Sequence, residues 1–185
     1  LRAIAGVGRS DRQAPSSRVS AIGAGVTGLA VGDFVVVTLI RACGGCLTCS
    51  DGRPYLCETP YDGDHGPLTT AEGGKLHQAM ACGAFAEKVV VDHSQVVRLP
   101  EEIPVDAASL LACGVITGVG GVVNAAGLRA GQDVVVIGAG GVGLNAIQGA
   151  RIAGARRIVA VDMTEEKLAI AREFDLFIMS DEIYS

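Results

Sequence analysis

Tryptophan is absent from this chain of 185 residues, and aromatic side chains make up only 4% of it. No run of basic residues interleaved with aromatics occurs, and the net charge is −5. That balance excludes nucleic acid and anionic membrane surfaces as the main partners. Histidine is scarce, with His65, His77 and His93 as the whole supply. His93, in Asp-His-Ser, reads as a turn residue, and His65, between Asp62-Gly-Asp64 and Gly66, as part of a polar loop. Nothing in the spacing of His77 supports a ligand role. Residues 1–20 hold no continuous apolar segment behind a basic start, so a secretory signal is not expected. The missing initiator methionine suggests that the chain begins partway into something longer.

What is present favours a packed fold. Apolar residues reach 49%, mean hydropathy is +0.41, and the 26 glycines point to tight turns and small-residue packing. Residues 107–128 carry no charge and are long enough to span a bilayer. Their glycines, Asn124 and scarcity of bulky apolar side chains favour a Gly/Ala-rich buried helix with flanking loops.

Hydrophobic patterning changes along the chain. Val19–Ile22 and Phe34–Val37 read as strands around a glycine-rich turn. Residues 41–78 are loop-rich. Phe85–Val91 and Gln95–Leu99 look like a pair of strands joined by Asp92-His93-Ser94. A helix is expected after Pro104. From Asp133 onward the pattern becomes α/β: a fully apolar strand at 134–137, a helix over 142–153, a strand over 157–161 and a helix over 165–174. Cys82 reads as a small buried hydrophobe.

Two constellations carry chemistry. The first is Cys43, Cys46, Cys49 and Cys57, with two residues between each of the first three and seven before the fourth. Four thiolates on one loop meet the tetrahedral preference of zinc and leave no position for water, so such a site is structural. Iron accepts the same four thiolates, and a redox pair is the non-metal alternative. The clustering argues for metal in a reducing cytoplasm over a disulfide framework.

The second is Gly138-Ala-Gly140-Gly141-Val142-Gly143 between an apolar strand and a helix. Gly138 permits a tight turn, Gly140 a close approach of backbone to pyrophosphate, and Gly143 close helix–strand packing. The helix N-terminus presents free N–H groups to phosphate. Asp162 ends the second strand, where a carboxylate accepts from a ribose 2′-hydroxyl and repels a 2′-phosphate, favouring NAD over NADP.

A four-cysteine loop followed by a NAD fingerprint resembles the zinc-dependent medium-chain alcohol dehydrogenases, as do Phe85-Ala-Glu-Lys-Val-Val-Val and Leu110-Leu-Ala-Cys-Gly-Val-Ile-Thr-Gly. The branch resembled most is the class III, or glutathione- and mycothiol-linked formaldehyde dehydrogenase, type. The resemblance implies a partial GroES-like β-barrel over residues 1–105, with the structural zinc loop at 41–58, then a truncated Rossmann NAD-binding domain over 106–174. It implies hydride transfer from a small-molecule alcohol or hydroxymethyl-thiol to NAD, in the cytoplasm. On that match Cys113 stands at the third catalytic zinc ligand, Thr117 near the nicotinamide, and Lys167 beside Asp162 at the ribose. Gly6-Val-Gly-Arg-Ser-Asp11 places Arg9 at the pyrophosphate and Ser10 in the proton relay.

The match has three departures. Gly8 replaces the first catalytic cysteine. The Gly-His-Glu segment that supplies the zinc histidine is missing, and Gln13 falls where the relay often ends in histidine. Residues 175–185 look foreign to the family and similar to a strand of fold-type I aminotransferases. These departures argue against a tightly held catalytic zinc, and they leave a non-catalytic zinc- and dinucleotide-binding remnant as the alternative. With one βαβ unit expected, the sheet has an open edge that favours association into a homo-oligomer.

Overall fold

The computed structural model describes residues 2–6, 16–60, 66–172 and 177–179. The chain divides into two compact units, Leu1–Ala112 and Cys113–Ser185.

The first unit is built on a five-stranded antiparallel sheet of β1 (Arg2–Gly6), β2 (Ser16–Ile22), β3 (Phe34–Val37), β6 (Lys88–Asp92) and β7 (Val96–Arg98), in the order β6-β1-β2-β3-β7. Valine-rich β3 lies between β2 and β7 and is buried along its whole length. The β-branched side chains of Val19, Val35, Val37, Val89, Val91 and Val96 form the core together with Cys82. Burial pushes the Cys82 thiol up from its ordinary pKa, as expected of a packing residue.

One expectation fails in an informative way. The strands at 85–91 and 95–99 do not pair with each other: β6 pairs with β1, and β7 with β3. A three-residue 3₁₀ turn at His93–Gln95 separates them, capped by Asp92, whose side chain accepts from the Ser94 N–H. The two outermost strands of the sheet are thus joined by three residues, which requires the sheet to curl toward closure as a barrel does. The fold inferred from sequence, an all-β GroES-like part, is the one observed.

The long segment between β3 and β6 holds the cysteine loop, with the four-residue helix α1 (Leu47–Ser50), and a small hairpin of β4 (Leu68–Thr69) and β5 (Lys75–Leu76). It ends in an unusual turn where Met80 and Ala81 both have positive φ, 53° and 55°. Non-glycine residues seldom occupy that region. Two buried glutamines brace it. Gln95, 1% exposed, donates to Thr38 O and Ala81 O, and its Oε1 accepts from Asp92 N. Gln78 donates to Cys82 O and Val90 O. Helix α2 (Val105–Leu110) follows.

The second unit begins within the helical stretch Val105–Ala125, which includes π turns at Leu111–Val115 and Gly121–Ala125 and the helix α3 (Ile116–Gly120). This stretch is long and apolar enough to cross a membrane by length and composition, and with 17% of its most apolar part buried it is not the buried helix expected from sequence. Its α3 segment is shaped for close protein packing. A Cβ on Gly118 would stand 2.5 Å from Val142 O and 2.7 Å from Ala146 N, so α3 and α4 (Gly141–Ile152) meet backbone to backbone. Gly149 answers from α4, where a Cβ would stand 2.9 Å from Val119 Cα.

Parallel strands β8 (Asp133–Ile137), β9 (Arg157–Val161) and β10 (Phe177–Met179) alternate with α4 and α5 (Glu165–Arg172), in the sheet order β10-β9-β8. That is a complete βαβαβ half in the 3-2-1 order of a dinucleotide-binding fold, where the sequence pattern predicted one βαβ unit. The segment expected to be foreign contributes β10, which extends the sheet beside β9. Ile147, Ala150, Ala160, Leu168 and Ala171 pack between helices and sheet, each at most 1% exposed. At the other end of the strands, Asp133 is gripped by Arg156 and Arg157, with Arg156 bidentate at 2.9 and 2.8 Å. These pairs hold the Asp133 carboxyl far below the usual carboxylate range.

Candidate metal loop and dinucleotide site

The four predicted cysteines converge. One sulfur from each of Cys43, Cys46, Cys49 and Cys57 lies within 4.8 Å of every other. Cys43 and Cys49 sulfurs are 4.0 Å apart, and those of Cys46 and Cys57 3.9 Å. A zinc–sulfur bond of ~2.3 Å makes the edge of a tetrahedron about 3.8 Å, so the spacing fits a central zinc. Backbone N–H groups point at the sulfurs: Gly45 and Cys46 donate to Cys43, and Cys43 donates to Cys57. Such bonds favour thiolate over thiol.

Thr48 is the side chain that sequence reading missed here. It is buried, and its one hydroxyl proton is shared between two acceptors, Leu56 O at 2.9 Å and the Cys46 sulfur at 3.2 Å. It therefore joins the helix carrying Cys46 and Cys49 to the residue before Cys57. The Thr48 hydroxyl and the backbone N–H groups of Glu58 and Cys49 bring Cys46 down to about 5. Desolvation and the neighbouring Cys46 push Cys49 up to about 11.

The glycine fingerprint sits between β8 and α4. Gly138 adopts φ +93°, a value costly for any residue with a Cβ. Gly143 lies against it, and a Cβ there would come within 1.7 Å of Gly138 O. Gly140 and Gly141 behave differently: a Cβ on either would meet nothing within 4 Å. Their lack of side chains leaves open space beside the first turn of α4. The N–H groups of Gly141, Val142 and Gly143 head that helix, where no intrahelical acceptor exists. The open cradle fits a dinucleotide pyrophosphate.

Asp162 follows β9 directly. Its Oδ2 accepts from Ala139 N at 2.8 Å, and its Oδ1 accepts from Thr164 N at 2.9 Å. These two N–H groups, ahead of the weaker pull of Lys167, hold its carboxyl below the usual range. Lys167 Nζ stands 3.6 Å from Oδ1. Asp162 thus grips the glycine turn itself, a contact that the sequence spacing did not reveal, and presents what remains of its carboxylate beside the cradle.

The remaining predicted residues are not gathered in this way. Cys113 is exposed in the π turn Leu111–Val115, and Thr117 is exposed on α3. Among the described residues the cluster able to hold a metal is the four-cysteine group, and Cys113 is outside it. Gly8, Arg9, Ser10, Asp11, Gln13 and His65 lie outside the described residues.

Two family profiles match this chain, one described as alcohol dehydrogenase GroES-like domain over residues 15–101, the other as zinc-binding dehydrogenase over residues 141–182. The chain belongs to the zinc-dependent medium-chain alcohol dehydrogenases. It is 38% identical over 165 residues to alcohol dehydrogenase B of Mycobacterium tuberculosis, covering 84% of this chain and 44% of that protein. It is 36% identical over 166 residues to alcohol dehydrogenase class-3 of Caenorhabditis elegans, covering 86% and 43%. An alcohol dehydrogenase zinc-binding domain protein from Burkholderia ambifaria superposes with TM-score 0.83 at 29% identity, over 100% of this chain and 58% of that one. Benzyl alcohol dehydrogenase from Acinetobacter calcoaceticus gives TM-score 0.78 at 26% identity, over 100% and 57%. The chain therefore spans less than half the length of the Mycobacterium tuberculosis and Caenorhabditis elegans dehydrogenases. The second match runs to residue 182, through the segment that had looked foreign to the family.

Proposed function

We propose that this chain is the oxidoreductase type its family implies, moving hydride between a small-molecule alcohol, or a hydroxymethyl-thiol of the class III kind, and NAD. The observation that carries this reading is the glycine turn with Asp162 bonded to it: open space over Gly140, and a carboxylate tied to the turn at Ala139. In it, Cys43, Cys46, Cys49 and Cys57 hold a structural zinc, and a reducing cytoplasm keeps their thiols available. The N–H groups of Gly141, Val142 and Gly143 bind and orient the pyrophosphate, and Gly138 and Gly140 let the backbone approach it. Asp162 accepts from the adenosine ribose hydroxyls and repels a 2′-phosphate, with Lys167 alongside. NAD, when bound, supplies the hydride acceptor. By the family pattern Arg9 adds a charge at the pyrophosphate, Ser10 passes the alcohol proton toward solvent, and Thr117 borders the nicotinamide. Cys113 descends from the catalytic zinc ligands. With glycine at position 8 and no companion ligand gathered beside Cys113 among the described residues, no step is assigned to a second zinc. Self-association through the Rossmann sheet is part of the same reading.

That glycine favours a second reading, a zinc- and dinucleotide-binding protein that performs no turnover. Titration of the purified chain with NADH and NADPH, followed by an assay for alcohol oxidation, separates the two. NADH binding tighter than NADPH, with alcohol-dependent NADH formation, supports the enzyme. Binding without turnover supports the second reading, and no nucleotide binding overturns both.

A further inference from the structure

The stretch leading into the cysteine loop is fastened to the turn between β6 and β7. Thr38 exchanges hydrogen bonds with Gln95, its N–H donating to Gln95 O at 2.8 Å while Gln95 Nε2 donates to Thr38 O at 3.0 Å. Arg41 Nε stands 3.5 Å from Asp92 Oδ2. Ala42 N donates to Ser94 Oγ at 3.0 Å, across 52 residues of sequence. The Ser94 hydroxyl has one proton, and it goes to Asp92 Oδ1 at 2.9 Å. Its oxygen is therefore oriented to accept from Ala42. One residue further, Cys43 N donates to the Cys57 sulfur at 3.3 Å, so the peptide that Ser94 fixes immediately precedes the first thiolate and its contact with the fourth.

We propose that Ser94, oriented by Asp92, is a positioning residue for metal retention: by fixing Ala42 it holds Cys43 where its sulfur completes the tetrahedron. The inference rests on the four cysteines being a zinc site. Without the bond, the peptide next to the first ligand loses its nearest anchor, leaving Thr38 and Arg41 as the tethers further back, and each zinc–sulfur contact Cys43 makes is easier to break. Outer partners of metal sites act in this way, their loss typically weakening binding ~10–100-fold.

Ser94→Ala isolates this role from stability of the turn. Asp92 still accepts from the backbone N–H of residue 94, and Gln95 Oε1 still accepts from Asp92 N, so the cap on the turn survives. The test measures zinc release from the zinc-loaded full chain into excess chromophoric chelator. Wild type is expected to hold about one zinc, as one closed four-thiolate site should. Ser94→Ala should release it about tenfold faster, at the low end of the outer-partner range, and Ser94→Thr, which keeps the hydroxyl, should restore slow release. Unchanged release from Ser94→Ala overturns the proposal, whereas a wild-type chain without zinc overturns the metal reading beneath it. Hydrogen exchange at the Ala42 amide needs no variant: protection in the zinc-loaded wild type is expected, and free exchange also overturns the proposal.

Discussion

Gly143 and Gly138 touch through their backbones so closely that a Cβ on the first would stand 1.7 Å from the carbonyl oxygen of the second. Helix α4 can leave the turn at its observed angle only because that atom is missing. Gly143→Ala is expected to destabilise the second unit by about 3 kcal/mol or more, at the upper end of overpacking costs. Gly141→Ala, where a Cβ meets nothing within 4 Å, should change stability by less than about 0.5 kcal/mol. Calorimetric unfolding of both variants checks the contrast, and equal melting temperatures would contradict it.

Thr48→Val keeps the shape of the side chain and removes its hydroxyl. The Cys46 sulfur then loses its 3.2 Å partner and Leu56 O its 2.9 Å donor. Zinc affinity is expected to fall ~10–100-fold, read by competition with a chelator of known affinity. Thr48→Ser should stay near wild type.

Asp162→Asn leaves one carbonyl oxygen where two carboxylate oxygens held Ala139 N and Thr164 N. One of those N–H groups loses its acceptor, loosening either the glycine turn or the start of α5. NADH affinity should drop by about 1 kcal/mol or more, roughly the worth of one hydrogen bond. Isothermal titration of NADH into both proteins provides the measurement. An unchanged dissociation constant would show that Asp162 neither holds the turn nor meets the cofactor.

Acid should weaken the second unit through Asp133, whose pairing with Arg156 and Arg157 holds its carboxyl below the ordinary 3.8. The folded carboxyl binds its proton more weakly than the unfolded one, so protonation favours unfolding. The contribution is complete above the usual carboxylate range, declines below it, and is gone only once the pH has fallen through the much lower value of the folded group. Asp133→Asn removes the charge at every pH, so its melting temperature should lie furthest below wild type at pH 6, and the gap should begin to narrow only below about pH 4, the unfolded group having a pKa near 3.9. A gap of the same size at pH 6 and at about pH 3 would assign the effect to packing.

The cysteine loop and the glycine fingerprint were legible in sequence because their parts are near neighbours along the chain. Ligands two residues apart on a loop have few ways to avoid meeting, and a strand–glycine–helix order fixes its own geometry. The grip of Asp162 on Ala139 was half legible: the carboxylate was expected at the ribose, but its bond to the turn depends on how β9 ends beside β8, as their register shows. The pairing of β6 and β7 was misread because two valine-rich runs around Asp-His-Ser look like a hairpin. The Asp92 cap tightens that link into a 3₁₀ turn and sends each strand to a different neighbour. The link from Ser94 to Ala42 spans 52 residues and leaves no local trace. Residues 175–185 resembled another family, since the short strand within them says little beyond its apolar character, while β10 takes its identity from pairing with β9.

Strand β8 pairs with β9 on one side and, among the described residues, with no strand on the other. On it Val135 is 60% exposed and Ile137 85%. A bare row of amides and carbonyls flanked by β-branched side chains is a template on which another strand can grow. That margin of the sheet, more than the net charge, is where association of this chain is expected to begin. A single lysine at Val135 should raise the onset of light scattering as concentration increases, without changing what either unit binds.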